Sequence, residues 1–181
     1  MNIERIGVIG AGQMGNGIAH VCALAGYTVL LNDVKAERIE AAFDIIAGNL
    51  SRQVARGKIT DADKDRAMNN IQPAKSLDAF RDVDLAIEAA TEDEKLKKQI
   101  FVDLCPRLSK QAMIASNTSS ISITRLASVT DRPERFIGLH FMNPVPLMQL
   151  VELIRGIATE EETFLSVQAL VKKLGKTSAN S

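Results

Sequence analysis

The chain has 181 residues, enough for one domain with a sizeable buried core. Its 22 basic and 22 acidic residues balance, which gives no electrostatic support for binding nucleic acid. No run of about 18 apolar residues occurs, so we expect no membrane span. Cys22 and Cys105 are too few and too isolated for a disulfide framework or a metal site, and we expect buried thiols in a cytoplasmic protein.

The first segment of the chain carries a glycine-rich turn between a strand and a helix. An apolar run ending at Ile9 predicts a buried strand, and a helix is predicted from about Gln13 to Ala25. Gly10, Gly12 and Gly15 then give the pattern G-x-G-x-x-G. The first glycine permits the tight turn, the second lets a pyrophosphate approach the backbone, and the third lets the helix pack on the strand. The helix N-terminus directs its amides at the phosphates.

An acidic residue follows the second predicted strand. A strand is predicted over residues 28–32, and it leads to Asp33, whose carboxylate can accept hydrogen bonds from both ribose hydroxyls of a dinucleotide. A 2′-phosphate would be repelled there, so the predicted cofactor is NAD rather than NADP. Lys35 is the nearby cation in the sequence, and we expect its side chain to lie in solvent.

The rest of the chain alternates helices with short strands. Further helices are predicted over residues 36–56, 94–108 and 160–174, with a short one after the polar turn at 60–63. Further strands are predicted over residues 71–74, 84–89, 112–116, 135–140 and 150–154. This order predicts an α/β, doubly wound (Rossmann-type) fold with a mostly parallel sheet. Loops at the carboxyl ends of its strands should hold the functional site.

A histidine and a glutamate fall near each other if the last two strands are neighbours. His140 ends a buried strand, and Glu152 lies twelve residues on inside an apolar run. Glu152 could then accept a hydrogen bond from one imidazole nitrogen of His140 and leave the other as a base. Alternatively, His140 is a core histidine bonded to the backbone and Glu152 is an edge-strand acid facing water.

Two further segments carry polar side chains at predicted strand ends. The loop Ser116-Asn117-Thr118-Ser119-Ser120 either caps the next helix or directs a hydroxyl donor at a substrate oxygen. Glu92 and Lys97 either belong to the site or form the charged start of a helix. His20, on the first helix, is interpreted as a packing or surface residue.

The sequence resembles the 3-hydroxyacyl-CoA dehydrogenase family, most closely its bacterial 3-hydroxybutyryl-CoA members. The resemblance rests on GAGQMGNGIAH, on Asp33, on SNTSS, and on GLHFMNPVPLMQLVELI followed by LGKT. It covers residues 1 to about 177. The family oxidises the 3-hydroxyl of an acyl-CoA to a ketone by reversible hydride transfer to NAD.

The resemblance implies roles for individual residues. His140 would be the catalytic base, Glu152 its partner, and Ser119 a contact of the substrate oxygen and the cofactor. The cofactor contacts would be Gly10, Gly12, Gln13, Met14, Gly15, Asp33, Glu92, Lys97, Ser119 and Asn143. The CoA phosphates would meet the basic end of the long helix, which otherwise is a solvated face: Arg52, Arg56 and Lys58.

The chain departs from the family at its carboxyl end. The family continues into a helical domain that carries a catalytic asparagine, whereas this sequence stops at Ser181. We therefore expect an NAD-binding domain over residues 1–177, a short polar tail over 178–181, and no helical domain. The expected partners are an acyl-CoA substrate and either a second copy of the chain or a separate helical domain. Two functions remain open, a dehydrogenase and an NAD-binding module without useful turnover.

Overall fold

The computed structural model describes residues 1–181 as one eight-stranded sheet flanked by helices. The strands are β1 (Arg5–Ile9), β2 (Thr28–Asn32), β3 (Ile71–Ala74), β4 (Leu85–Glu88), β5 (Met113–Ser116), β6 (Phe136–Phe141), β7 (Leu150–Arg155) and β8 (Thr177–Asn180). The helices are α1 (Gln13–Leu24), α2 (Ala36–Ala55), α3 (Asp61–Asn70), α4 (Glu94–Leu104), α5 (Ile123–Ala127) and α6 (Glu161–Lys173). Three short 3-10 turns cover the ranges Leu77–Asp82, Cys105–Arg107 and Pro133–Arg135.

The strand order is β3-β2-β1-β4-β5-β6-β7-β8. Every neighbouring pair is parallel except β6 and β7, which run antiparallel. The chain reverses its direction of travel across the sheet between β1 and β4. In open α/β sheets, ligands bind outside the carboxyl ends of the strands at such a switch point. The predicted doubly wound fold is confirmed, and residues 1–181 contain no separate helical domain.

Helices cover both faces of the sheet. On one face α1, α2 and α6 bury Ile18, Ile46 and Val167 in the larger core cluster. On the other face α4 and α5 bury Phe101 and Leu126 in a second cluster. The central parallel strands are therefore buried on both sides, which explains their continuous apolar sequences.

Two predicted boundaries were wrong. The helix expected to reach Leu108 ends at Leu104, because Pro106 has no N–H group with which to continue the helical hydrogen bonds. The segment 178–181, expected to be a polar tail, belongs to strand β8 and its exit. The amide of Ser181 donates to the carbonyl of Leu153 at 2.9 Å, so backbone pairing with β7 orders this segment without apolar side chains.

The buried side chains of α1 include two titratable groups. The Cys22 thiol is buried and free, as predicted, and burial raises its pKa to about 12. His20 is 1% exposed, and its Nε2 lies 2.9 Å from Oε1 of Gln53, while its buried Nδ1 has no hydrogen-bond partner. His20 is therefore a packing residue. None of the helices is both long and apolar enough to cross a membrane.

We expect His20 to make the domain less stable in mild acid. Burial lowers the pKa of His20 from its ordinary value; the hydrogen bond with Gln53 acts against this shift, and the nearby charge of Lys176 adds to it. In the unfolded chain the pKa of His20 is near 6.5. Below that pH the unfolded state therefore binds a proton at His20 that the folded state does not bind. Above about pH 6.5 His20 should not lower the free energy of unfolding. Below that pH its protonation in the unfolded chain should lower this free energy by at most about 1.4 kcal/mol per pH unit.

The measurement is urea unfolding of wild type and His20→Leu between pH 7 and pH 5. The variant should lose less stability over this interval than wild type. All other titratable groups are present in both proteins, so their contributions cancel in the difference. Parallel stability curves would show that His20 does not carry the effect.

Candidate functional site

The glycine turn leaves open space where a ligand backbone could lie. Gly10 has a φ of +102°, a conformation that glycine adopts at no steric cost. A Cβ atom on Gly12 would meet no atom within 4 Å, whereas one on Gly15 would lie 1.6 Å from the carbonyl oxygen of Gly10. Gly15 thus permits the close approach of α1 to β1, and Gly12 faces a cavity. The structure thus shows the tight turn at Gly10 and the close packing at Gly15, and the approach of a pyrophosphate to Gly12 stays a prediction.

The N-terminus of α1 is free of competing groups. Its N-cap, Gly12, provides no side chain to cap the helix, and the first turn contains no acidic residue. Gln13 is exposed, while Met14 is half-buried and packs against the core. The uncapped amides and the positive end of the helix dipole make this end suited to an anion.

Asp33 is oriented by two backbone amides. The Ala11 amide donates to Oδ2 at 2.9 Å, and the Lys35 amide donates to Oδ1 at 3.0 Å. The Asp33 side chain is 6% exposed and borders a cavity of about 380 Å³ that also touches Gly10 and Gly12. The Lys35 side chain is exposed, as predicted. The cation that approaches the carboxylate is Arg38, with 3.9 Å between Nη1 and Oδ1, and the sequence interpretation missed it.

The antiparallel pairing of β6 and β7 brings His140 and Glu152 together. The two residues are directly opposite in the strand register. Nδ1 of His140 lies 2.8 Å from Oε2 of Glu152. A carboxylate accepts, so Nδ1 of His140 donates in this contact, and in the neutral imidazole the lone pair is then on Nε2. The His140 side chain is thus bonded to Glu152, so the alternative of a core histidine bonded to the backbone is wrong. Glu152 is not on an edge strand, because β7 lies between β6 and β8, although its side chain is 43% exposed.

Glu92 organises the loop that follows β5. Its Oε2 accepts hydrogen bonds from the amide of Ser119 at 2.9 Å and from the Ser119 hydroxyl at 3.1 Å. Its Oε1 accepts a bond from the Thr118 hydroxyl at 2.8 Å. Partial burial acts to raise the pKa of Glu92, but these hydrogen bonds and the charge of Lys97 outweigh it and hold the pKa below its usual range. Glu92 is therefore a carboxylate that fixes this loop, rather than only a surface charge.

The loop after β5 also contacts the end of β6. The Phe141 amide donates to Oδ1 of Asn117 at 2.8 Å, so the loop carrying Ser119 lies against the strand carrying His140. Ser119 does not cap α5, whose N-cap is Ser122. The capping interpretation therefore does not apply to Ser119.

Lys97 is buried in an ion pair that the sequence interpretation missed. Its Nζ lies 2.6 Å from Oε2 of Glu88 and 3.6 Å from Oε1 of Glu92. Lys97 is 2% exposed and Glu88 is fully buried. The Glu88 carboxylate also accepts bonds from the Ser116 hydroxyl at 2.6 Å and from the Ala90 amide at 2.7 Å. The sequence signal was a glutamate ending a strand whose other residues are all apolar.

Asn143 lies beside the glycine turn, whereas the predicted CoA-binding cations lie at and beyond the far end of α2. Asn143, on the loop after β6, lines a cavity of about 500 Å³ together with Gly12 and Gln13, so the structure brings it to the glycine turn. Arg52 lies about 24 Å along α2 from the start of this helix near Asp33, and Arg56 and Lys58 follow the end of the helix. No carboxylate lies within ion-pair distance of the basic side chains there, and all of them are exposed: Arg52, Arg56 and Lys58.

The sheet is open and doubly wound, it has the glycine turn at its switch point, and Asp33 directly follows β2. This combination defines a dinucleotide-binding domain. The family model described as "3-hydroxyacyl-CoA dehydrogenase, NAD binding domain" matches residues 5–180. The chain belongs to this family. The predicted resemblance and the predicted cofactor, NAD, are confirmed.

Curated relatives and solved structures carry related names. A 3-hydroxybutyryl-CoA dehydrogenase of Bradyrhizobium diazoefficiens is 59% identical over 179 residues, which cover 99% of this chain and 61% of that protein. The (S)-3-hydroxybutyryl-CoA dehydrogenase structure from Ralstonia eutropha is 45% identical with a TM-score of 0.97, covering 99% of this chain and 63% of that chain. A 3-hydroxybutyryl-CoA dehydrogenase structure from Escherichia coli K12 is 40% identical, also with a TM-score of 0.97. The match covers 99% of this chain and 38% of that chain. This chain thus spans less than two thirds of each.

Proposed function

We propose that the chain carries the NAD-binding and proton-transfer part of a short-chain 3-hydroxyacyl-CoA dehydrogenase. The observation that carries this proposal is the hydrogen bond between His140 and Glu152 on the same edge of the sheet as the glycine turn. The named relatives act on 3-hydroxybutyryl-CoA, which supports a short-chain acyl-CoA as the substrate. The buried free thiols of Cys22 and Cys105 support the reducing cytoplasm as the compartment.

The residues at the switch point fit NAD. Gly12 faces open space, the amides of the α1 N-terminus are uncapped, and Asp33 presents a fixed carboxylate at the cavity wall. Bound NAD would supply a hydride acceptor, or in its reduced form a hydride donor. We assign its contacts to the glycine turn, the acid after β2 and the loops after β4, β5 and β6: Gly10, Gly12, Gln13, Met14, Gly15, Asp33, Glu92, Lys97, Ser119 and Asn143.

His140 acts as the base in the oxidising direction. Its Nε2 takes the proton from the 3-hydroxyl of the substrate as hydride leaves carbon 3, and the product is a ketone. The imidazole becomes positively charged, and the carboxylate of Glu152 stabilises that charge through Nδ1–H. In the reducing direction the imidazolium returns the proton to the forming alkoxide. General acid–base catalysis of this kind contributes about 10² to 10⁴ in rate.

Ser119 acts as a hydrogen-bond donor to the substrate oxygen. Its single hydroxyl proton is directed at Glu92 in the structure, at 3.1 Å, which is long for a bond between a hydroxyl and a carboxylate. Rotation about the Cα–Cβ bond of Ser119 redirects the proton to a substrate, while the amide of Ser119 remains bound to Glu92. The CoA phosphates meet the exposed, unpaired cations at the end of α2: Arg52, Arg56 and Lys58.

A second candidate is an NAD-binding domain without useful turnover. The chain spans only 61% of the length of the Bradyrhizobium relative. The loop and strand after Asn143 also expose three apolar side chains, which suits contact with a further domain or a second copy: Leu147, Met148 and Leu150.

The deciding experiment follows NADH oxidation by this chain with acetoacetyl-CoA, beside a His140→Ala variant. NADH binding is measured by fluorescence in the same samples. We expect wild type to turn over and the variant to be at least about a hundredfold slower, while both proteins still bind NADH. Binding without turnover would favour the second candidate. Wild type that fails to bind NADH would overturn both.

A further inference from the structure

The lysine of the LGKT segment makes contacts that the proposed reaction does not use. Nζ of Lys176 donates to the carbonyl of Val145 at 2.7 Å and to the carbonyl of Met148 at 2.6 Å. No carboxylate lies within 4 Å of this ammonium group, although the side chain is partly buried. Burial lowers the pKa of Lys176. Removing an ammonium group from water without an acidic partner costs free energy. The two carbonyl contacts offset part of this cost, and the fold must gain something from placing the lysine here.

Both carbonyls belong to the loop between β6 and β7. This loop, residues 142–149, begins two residues after His140, carries Asn143 and leads to the strand of Glu152. It has a turn of its own, in which the amides of Leu147 and Met148 each donate to the carbonyl of Pro144 at 3.0 Å. The loop therefore joins the two members of the proposed proton-transfer pair.

The loop contacts the rest of the domain on two sides. On one side Val145 packs so closely on α1 that a Cβ atom on Gly17 would lie 2.8 Å from the Cβ of Val145. On the other side the ammonium group of Lys176 bonds the two carbonyls. A single nitrogen with three protons can bond two carbonyls at once, which no apolar side chain can do.

We propose that Lys176 is a positioning residue that holds the β6–β7 loop so that Asn143 faces the glycine turn. The inference rests on the proposed function, because it assumes that Asn143 contacts the cofactor. Asn143 shares a cavity with Gly12 and Gln13 in the present loop conformation. Release of the carbonyls of Val145 and Met148 would leave the loop held at α1 and, at its far end, by the Thr177 amide that donates to the carbonyl of Gln149 at 2.9 Å. The segment between these points, which carries the turn at Pro144, would then be free to move, and Asn143 would lose its fixed orientation.

The test is a double-mutant cycle of Lys176→Met and Asn143→Ala in the full chain, read out as the Kd for NADH. Lys176→Met should weaken NADH binding by up to about tenfold, the loss expected when the hydrogen bond that Asn143 makes to the cofactor is no longer formed. In the Asn143→Ala background the same change should have almost no further effect, because Lys176 acts through that residue. Lys176→Arg keeps the charge and the donors and should restore most of the affinity.

Lys172→Met, at an exposed position in the last turn of α6, is the matched control and should bind NADH as wild type does. Amide exchange of Leu147 and Met148 should accelerate in Lys176→Met and not in the control. If Lys176→Met does not fold, Lys176→Gln takes its place with the same expectation. Unchanged NADH affinity in a folded variant, or full additivity in the cycle, would overturn the inference. Failure of wild type to bind NADH would instead overturn the proposed function, and the exchange rates would still report on the loop.

Discussion

Replacing Lys97 with methionine should lower the free energy of unfolding by about 3 to 5 kcal/mol. The substitution leaves the carboxylate of Glu88 without its cation in a site that is closed to water, since Glu88 is fully buried. The hydroxyl of Ser116 and the amide of Ala90 would still donate to Glu88, but they cannot neutralise its charge. Urea unfolding followed by circular dichroism measures the loss.

Lys98→Met provides the matched control for this prediction. Lys98 is the next residue on α4, and its ammonium group pairs with Glu94 at 3.0 Å in a partly exposed position. Exposed pairs of this kind contribute at most about 1 kcal/mol, so the control should unfold almost as wild type does. If the two variants lose equal stability, the buried pair does not have the strength that its geometry indicates.

The double variant Glu88→Leu/Lys97→Met separates the structural contribution of Lys97 from cofactor binding. Replacing both members of a buried ion pair by apolar residues is often close to neutral, so the double variant should recover much of the lost stability. If Lys97 contacts the cofactor, this folded variant should nevertheless bind NADH more weakly than wild type. Equal binding would remove Lys97 from the proposed cofactor contacts.

The parts of the site that could be predicted from sequence are those that local spacing determines. The glycines at 10, 12 and 15 lie within one turn, and Asp33 ends the next strand, so neither requires knowledge of distant contacts. The approach of His140 and Glu152 could be predicted because the two strands are consecutive and one short loop joins them. Their chemical roles remain proposals.

The contacts that could not be predicted depend on how the elements pack, not on a spacing that can be read along the chain. Glu88 meets Lys97 only because α4 returns over the end of β4, and sequence alone does not identify which charges the fold buries. Lys176 reaches the β6–β7 loop across 31 residues of chain, and its carbonyl acceptors leave no pattern in the sequence. Strand β8 was missed for a similar reason, since backbone groups rather than side chains pair it with β7.

Replacing Glu152 with glutamine should lower kcat for acetoacetyl-CoA reduction about a hundredfold or more, while leaving NADH affinity nearly unchanged. The amide is close in shape to the carboxylate but carries no charge, so the imidazolium of His140 loses the group that stabilises it. The amide can also donate to Nδ1, which would move the ring proton to Nε2 and block that nitrogen as a base. Glu161→Gln is the control, because Glu161 pairs with Arg155 at the far end of β7.

The tautomer of His140 gives a readout that requires no turnover. The chain contains two histidines, and His20→Leu removes the signals of the other one, so the ring nitrogens of His140 can be assigned by NMR. Wild type should show the proton on Nδ1, and Glu152→Gln should show a larger share of the Nε2–H form. A loss of kcat without any change in tautomer would assign the effect to the missing charge alone. An unchanged kcat in an active wild-type background would remove Glu152 from the mechanism, because a base that is equally effective beside a neutral amide does not need a carboxylate partner.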